Sequence, residues 1–178
     1  MNLTRLIRCT LLLGLSAAGA LFAAESKPAS RVTVVFSHPE KFTDLRDNAS
    51  DSDNERGRAR YLPPIEEYLE QQGESRLAPG QKLTITFTDI DLAGDFEPWR
   101  GPQFNDVRII KEIYIPRLTF SFKLTDANGQ VIKEGERKLQ DMSFQMRIDG
   151  IRDDPLRYEK GMLGDWLRDE FRPAVAKN

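Results

Sequence analysis

The sequence predicts an α+β fold: a mainly antiparallel sheet of four to five strands with two helices packed on one face, in the order β-α-β-β-β-(β)-α. Three observations predict it. Apolar and polar residues alternate at 31–37, 82–92 and 118–124, the period of half-buried strands. Apolar residues recur at helical spacing over 63–73 and again after Asp154. Asn128-Gly129 sits between two strand-like runs, where a tight turn needs positive φ angles.

The chain begins with a segment read as an address instead of structure. Arg5 and Arg8 precede an apolar run from Thr10 to Ala24, and no acid appears before Glu25. That is the layout of a secretory signal peptide, with small residues near Ala23 or Ala24 suited to cleavage. The run is shorter than the roughly 20 residues that span a bilayer as a helix. Residues 1–24 are therefore expected to be removed, leaving a flexible lead at 25–30, a single α+β domain at 31–173 and a tail at 174–178. Cys9 follows Arg8 directly and not a cleavage point, which argues against lipid anchoring. The mature chain then has no cysteine and no disulfide. Of 26 basic and 28 acidic residues the leader removes two basic ones, so the net charge goes from −2 to −4.

In order along the mature chain, Val32, Val34 and Phe36 point one way and Thr33 and Ser37 the other, predicting the first strand. Residues 38–60 are polar with an acidic run, and with few apolar residues after Phe42 and Leu45 the middle of the stretch is expected to form a mobile loop. Tyr61, Ile65, Tyr68, Leu69 and Gln72 predict a helix over about 63–73, with Pro63-Pro64 in its first turn and Gly73 at its stop. A proline pair deep inside a helix is costly, so the helix is not extended back to Arg56. Leu83, Ile85 and Phe87 share a face, and the phase then shifts to Ile90 and Leu92, which predicts a bulge near Thr88–Asp89. Residues 93–106 hold two Gly, two Pro and three aromatics and read as a loop. Arg108–Ile115 is β-branched and leads into Leu118, Phe120, Phe122 and Leu124 as the strongest strand. Gln130–Lys138 returns after the turn. Met142, Phe144, Met146 and Ile148 alternate and predict a further strand or extension. Asp154 as N-cap and Pro155 at the first helical position open the last helix. Its stripe is Leu156, Met162, Leu163, Trp166, Leu167 and Phe171, its polar face is read as including Glu159, and Pro173 ends it.

Four stretches together resemble a known family: Pro39–Asp44 (PEKFTD), Asp89–Gly94 (DIDLAG), Glu97-Pro98-Trp99 and Asp154–Lys160 (DPLRYEK). They are similar to an exported bacterial family of unknown function, the one numbered 3016, over about 32–171. The resemblance implies a Gram-negative periplasmic or envelope protein and transfers no catalytic residue.

Composition excludes several function classes. A near-balanced charge does not suit a nucleic-acid binder, which must offset phosphates in bulk. One His and one Cys are too few for a conventional zinc site, and no phosphate loop or dinucleotide fingerprint is present. No cofactor and no metal are expected. His38, the only histidine, is read as a solvated loop residue, since no nucleophile elbow accompanies it. Asp51–Gly57 alternates acids like a calcium loop, but Arg56 and Leu62 stand where Gly and Glu are required, so it reads as a solvated loop. Asp89, Asp91, Asp95, Glu97 and Asp106 are expected to pair with Arg100, Arg108 and Arg117. The aromatic loop of Phe96, Trp99 and Phe104 either caps the core or contacts a partner. The candidate binding residues are Trp99, Arg100, Phe96 and Asp91.

The function expected is a non-enzymatic periplasmic binding or envelope-accessory protein, holding an unknown ligand or an envelope protein without inserting in the membrane. The alternatives are a cofactor-free hydrolase using carboxylates near 89–97, or a structural subunit of an envelope complex. The oligomeric state is left open.

Overall fold

The computed structural model describes residues 30–51, 54–148 and 153–171. The expected leader and tail lie outside them, as does the lead except for Ser30. The elements are β1 (Val32–Phe36), α1 (Glu55–Glu74), β2 (Lys82–Asp91), β3 (Asp95–Phe96), β4 (Arg108–Ile109), β5 (Arg117–Thr125), β6 (Val131–Gln140) and α2 (Arg157–Glu170). A four-stranded sheet runs β1-β2-β5-β6, and β3 and β4 form a separate ribbon. The class is α+β as predicted, with one refinement: β1 pairs with β2 in parallel. A parallel pair needs a long crossover, and α1 supplies it.

One face of the sheet carries the core. Leu83, Ile85, Phe87 and Ile90 of β2, and Leu118, Phe120 and Phe122 of β5, are all at most 2% exposed. Ile65 and Leu69 of α1 and Leu163 and Leu167 of α2 press on that face, each fully buried. Trp166 is wedged edge-on against Phe120 at 4.6 Å and Phe122 at 5.5 Å, and Phe171 closes over it at 5.6 Å. The other face shows Thr84, Thr88 and Lys123 to solvent. The expected bulge lies between Phe87 and Asp89, where the β2–β5 register shifts and turns Ile90 back inward.

The structure corrects several local expectations. The first helix begins eight residues earlier than predicted and runs through Pro63 and Pro64. The prolines sit on its outward side, where the carbonyls they leave unbonded can reach water. Its first half is held from outside. The Asp51 carboxylate accepts hydrogen bonds from the backbone N–H groups of Asp47, Arg56 and Gly57. Asn54, at a left-handed φ of 60°, receives Leu45 N–H on its side-chain oxygen and donates to the Phe42 carbonyl. Gly57 passes so close to Leu45 that a Cβ there would lie 1.3 Å from the Leu45 carbonyl oxygen. The acidic stretch read as a solvated loop is thus built around buried Asp51 and Asn54, each 5% exposed, with Phe42 and Leu45 inside the core.

Arg108–Ile115 is not a continuous lead into the next strand. Only Arg108 and Ile109 pair, with Phe96 and Asp95, and β5 starts at Arg117 after Pro116. In the β5–β6 turn Gly129 alone has positive φ, 80°, while the Asp126 carboxylate takes the N–H groups of Asn128 and Gln130. The alternation at 142–148 does not make a strand: Phe144–Met146 is a 3-10 turn. Phe144 is fully buried against Tyr158 at 4.8 Å, while Met142, Met146 and Ile148 are exposed. Helix α2 opens at Arg157 instead of Pro155, because Asp154 caps a preceding turn by accepting from Leu156 N–H at 2.8 Å. Among the described residues no helix is long and apolar enough to cross a membrane.

Candidate functional site

The segment between Asp91 and Arg117 leaves the sheet and builds a lobe on the β3–β4 ribbon. Glu97 is its clamp. It is 1% exposed and accepts bonds from Arg100 Nε, Lys111 Nζ and the Tyr114 hydroxyl, the last at 2.9 Å. The Lys111 bond above all, with those from Tyr114 and Arg100, outweighs desolvation and holds the carboxyl at a pKa of about 2. One carboxylate thereby ties the Pro98–Arg100 turn to the 111–114 turn across the lobe. Trp99 rides on the clamped turn and is 72% exposed. Its neighbour Arg100 lies 6.0 Å over the half-buried Phe104 ring.

Phe96 goes the other way. It is 3% exposed, under the guanidinium groups of Arg108 at 4.7 Å and Arg46 at 5.8 Å. Arg108 is spent on structure: it donates to both oxygens of Asp44, to the Gly94 carbonyl and to the Arg46 carbonyl. Arg46 bridges Asp44 and Asp95. Burial pushes the Asp44 carboxyl up, but the bonds from Arg108 and Arg46 prevail and keep it below the usual carboxylate range. These charge-assisted bonds staple the lobe to the 42–48 segment.

The predicted aromatic loop is therefore split between core and surface, with Trp99 and Arg100 outside and Phe96 beneath. The acids expected to pair with arginines do so in part. Asp91 pairs with Arg117 at 2.7 Å and Glu97 with Arg100, but Asp95 takes Arg46, and Asp89 binds the Thr43 N–H and hydroxyl. Arg108 goes to Asp44, which sequence reasoning had not placed among them. Burial raises the Asp91 pKa despite its arginine, with Asp44 and Asp89 adding to the rise. Asp91 stands at the end of β2, bridged to Asp44 and away from the clamped turn in the chain. His38 is exposed and bonded to Glu40. Among the described residues no group of acids, histidines or cysteines is arranged to hold a metal.

Glu159 was missed. Read as part of the polar face of the last helix, it is fully buried instead. One oxygen accepts the Ala93 N–H at 2.7 Å, and the other has no hydrogen-bond partner among the described residues. Desolvation lifts its pKa to about 7. Spacing could have found it: Leu156, Glu159, Met162 and Trp166 follow one another at three or four residues, on one side of the helix.

Neither the curated proteins nor the solved structures contain a match to this chain. The model of a family described as protein of unknown function, DUF3016, matches residues 30–169, most of the sequence, and the chain belongs to that family.

Proposed function

We propose that this is a non-enzymatic, exported accessory protein of the cell envelope that holds a partner protein through the lobe around Trp99 and Arg100, with Phe96 as the buried support and Asp91 anchoring the base of the lobe. The observation that carries the reading is the contrast between Trp99 and its mounting. A tryptophan 72% exposed contributes little to the core, yet it sits on a turn fixed by a buried carboxylate with three donors. A rigidly presented aromatic loses little conformational entropy on binding, which is what makes tryptophan a strong interface anchor. Val107 and Ile113 add exposed apolar surface in the same lobe, at 45% and 72%. The acids at 89–97 each have a hydrogen-bonding partner, which favours a mounting role for them over acid–base chemistry. Export rests on the basic, then apolar, start of the chain and on the cysteine-free remainder.

The test compares wild type and Trp99→Ala in capture from envelope extract, with thermal melts of both. The variant is expected to lose the captured partner while its stability stays within about 0.5 kcal/mol, as for a surface position. A variant that melts several degrees lower, or that captures as well as wild type, overturns the reading. Export fails separately if the intact precursor, Cys9 included, is found soluble in the cytosol.

A further inference from the structure

Three arginine–aromatic stacks line one cleft beneath the lobe. The first half of α1, the ribbon and the segment leading into α2 enclose about 280 Å³. Arg60 lies over Tyr61 at 5.5 Å, Arg108 over Phe96 at 4.7 Å and Arg157 over Tyr158 at 4.4 Å, and all six residues line the space. Stacking steadies a guanidinium while leaving its in-plane N–H groups for other acceptors. The arginines differ in what remains of those donors. Arg108 gives both terminal nitrogens to Asp44 and two backbone carbonyls, and its buried Nε has no hydrogen-bond partner among the described residues. Arg60 has a side chain 57% exposed and gives only Nη1 to Asp47, so its other nitrogens have no acceptor among the described residues.

The opposite charge is present too. Asp106 lines the same cleft, is exposed, and meets no cation among the described residues. Asp47 and Asp154 line it as well, paired with Arg60 and Lys160, so the lining carries both signs and Asp106 is its unpaired acid among the described residues. A simple anion would gain from the arginines and lose to the aspartates, and a simple cation the reverse. A molecule bearing both charges meets each with its opposite. The volume lies just under the roughly 300–1,000 Å³ of drug-sized sites, which suits a smaller ligand.

We propose that this cleft binds a small zwitterion with an apolar body, a free amino acid or dipeptide, its carboxylate on Arg60 and its ammonium on Asp106, with the side chain against Ile110, the exposed apolar residue of the lining. Trp99 does not line the cleft, so this site stands or falls independently of the partner surface.

The test titrates the purified protein with L-leucyl-L-leucine, its N-acetyl derivative and its C-terminal amide, followed by calorimetry or amide chemical shifts. Saturable binding is expected for the free dipeptide, and each blocked form should bind at least about tenfold more weakly, the loss of one charge-assisted bond. Asp106→Asn should weaken the free dipeptide about tenfold and leave the N-acetyl form unchanged. Arg60→Gln should weaken the free dipeptide and leave the amide unchanged. Asp106→Asn breaks no ion pair among the described residues, so it keeps the test readable if Arg60→Gln loosens α1. Absence of saturation by the free dipeptide and by L-leucine at about 10 mM overturns the proposal. Equal affinity for the blocked forms, or an unchanged affinity in Asp106→Asn, overturns it as well.

Discussion

Replacing Glu159 by Gln should stabilise the protein at alkaline pH and change little at acid pH. The Glu159 carboxyl is fully buried, with one oxygen on the Ala93 N–H and the other without a hydrogen bond among the described residues. Burial raises its pKa from an ordinary 4.5 to about 7. Between those values the folded state holds a proton that the unfolded state has released. Stability therefore falls as pH rises through this window, and below about 4.5 both states are protonated and nothing is lost. At about 1.4 kcal/mol per pH unit, the ionised form costs the folded state about 3 kcal/mol above pH 7. Glutamine keeps an acceptor for Ala93 and carries no charge, so the variant escapes that cost. Urea unfolding of both proteins at pH 5, 6, 7 and 8 measures it, because titrations elsewhere in the chain cancel in the difference. The gap should widen from about 1 kcal/mol at pH 5 to about 3 kcal/mol at pH 8. A difference that stays constant over that range would refute the reasoning, since it would place the Glu159 charge in water or on a cation in the folded protein.

Two further substitutions probe the segments that the fold corrected. Asp51→Ala removes the acceptor of two backbone N–H groups in the first turn of α1 and of the Asp47 N–H before it, and should cost about 1–3 kcal/mol with a loss of helical circular dichroism at moderate urea. An unchanged urea midpoint would mean that the residues before Pro63 hold themselves in a helix. Phe144→Ala should cost about 3–5 kcal/mol in the same assay, by opening a cavity beside Tyr158. Met146→Ala, 82% exposed, should stay within about 0.5 kcal/mol. Equal effects of the two would restore the strand reading of 142–148.

Much of the frame was legible in the residues because strands and helices advertise their buried faces by period. Leu83, Ile85 and Phe87, the shift to Ile90, and the stripe from Met162 to Leu167 all face the core as their spacing required. The lobe was half legible. Its aromatics and acids were visible in the chain, but nothing local said that Phe96 would go under Arg108 while Trp99 stayed out. That choice is made by Asp44 and Arg46, about fifty residues upstream, and by Lys111 and Tyr114 downstream. The cleft was not legible at all, since its lining comes from five separate stretches, around residues 47, 60, 94, 108 and 156.

By itself the sequence determined the class, the inward faces of the strands, the β5–β6 hairpin, and the family to which 30–169 belongs. Tertiary structure alone decided that α1 would run through two prolines, that 142–148 would place one phenylalanine inside instead of a strand, and that Glu159 would be buried. The physical reason is common to all three. Local propensities differ by about 1 kcal/mol or less per ordinary residue, and by about 3 kcal/mol for a proline inside a helix. A cavity filled by Phe144, a carboxylate shared by three N–H groups, or a glutamate closed off behind Ala93 involves several kcal/mol contributed by residues distant in the chain. Where such contacts form, they override the preference written locally.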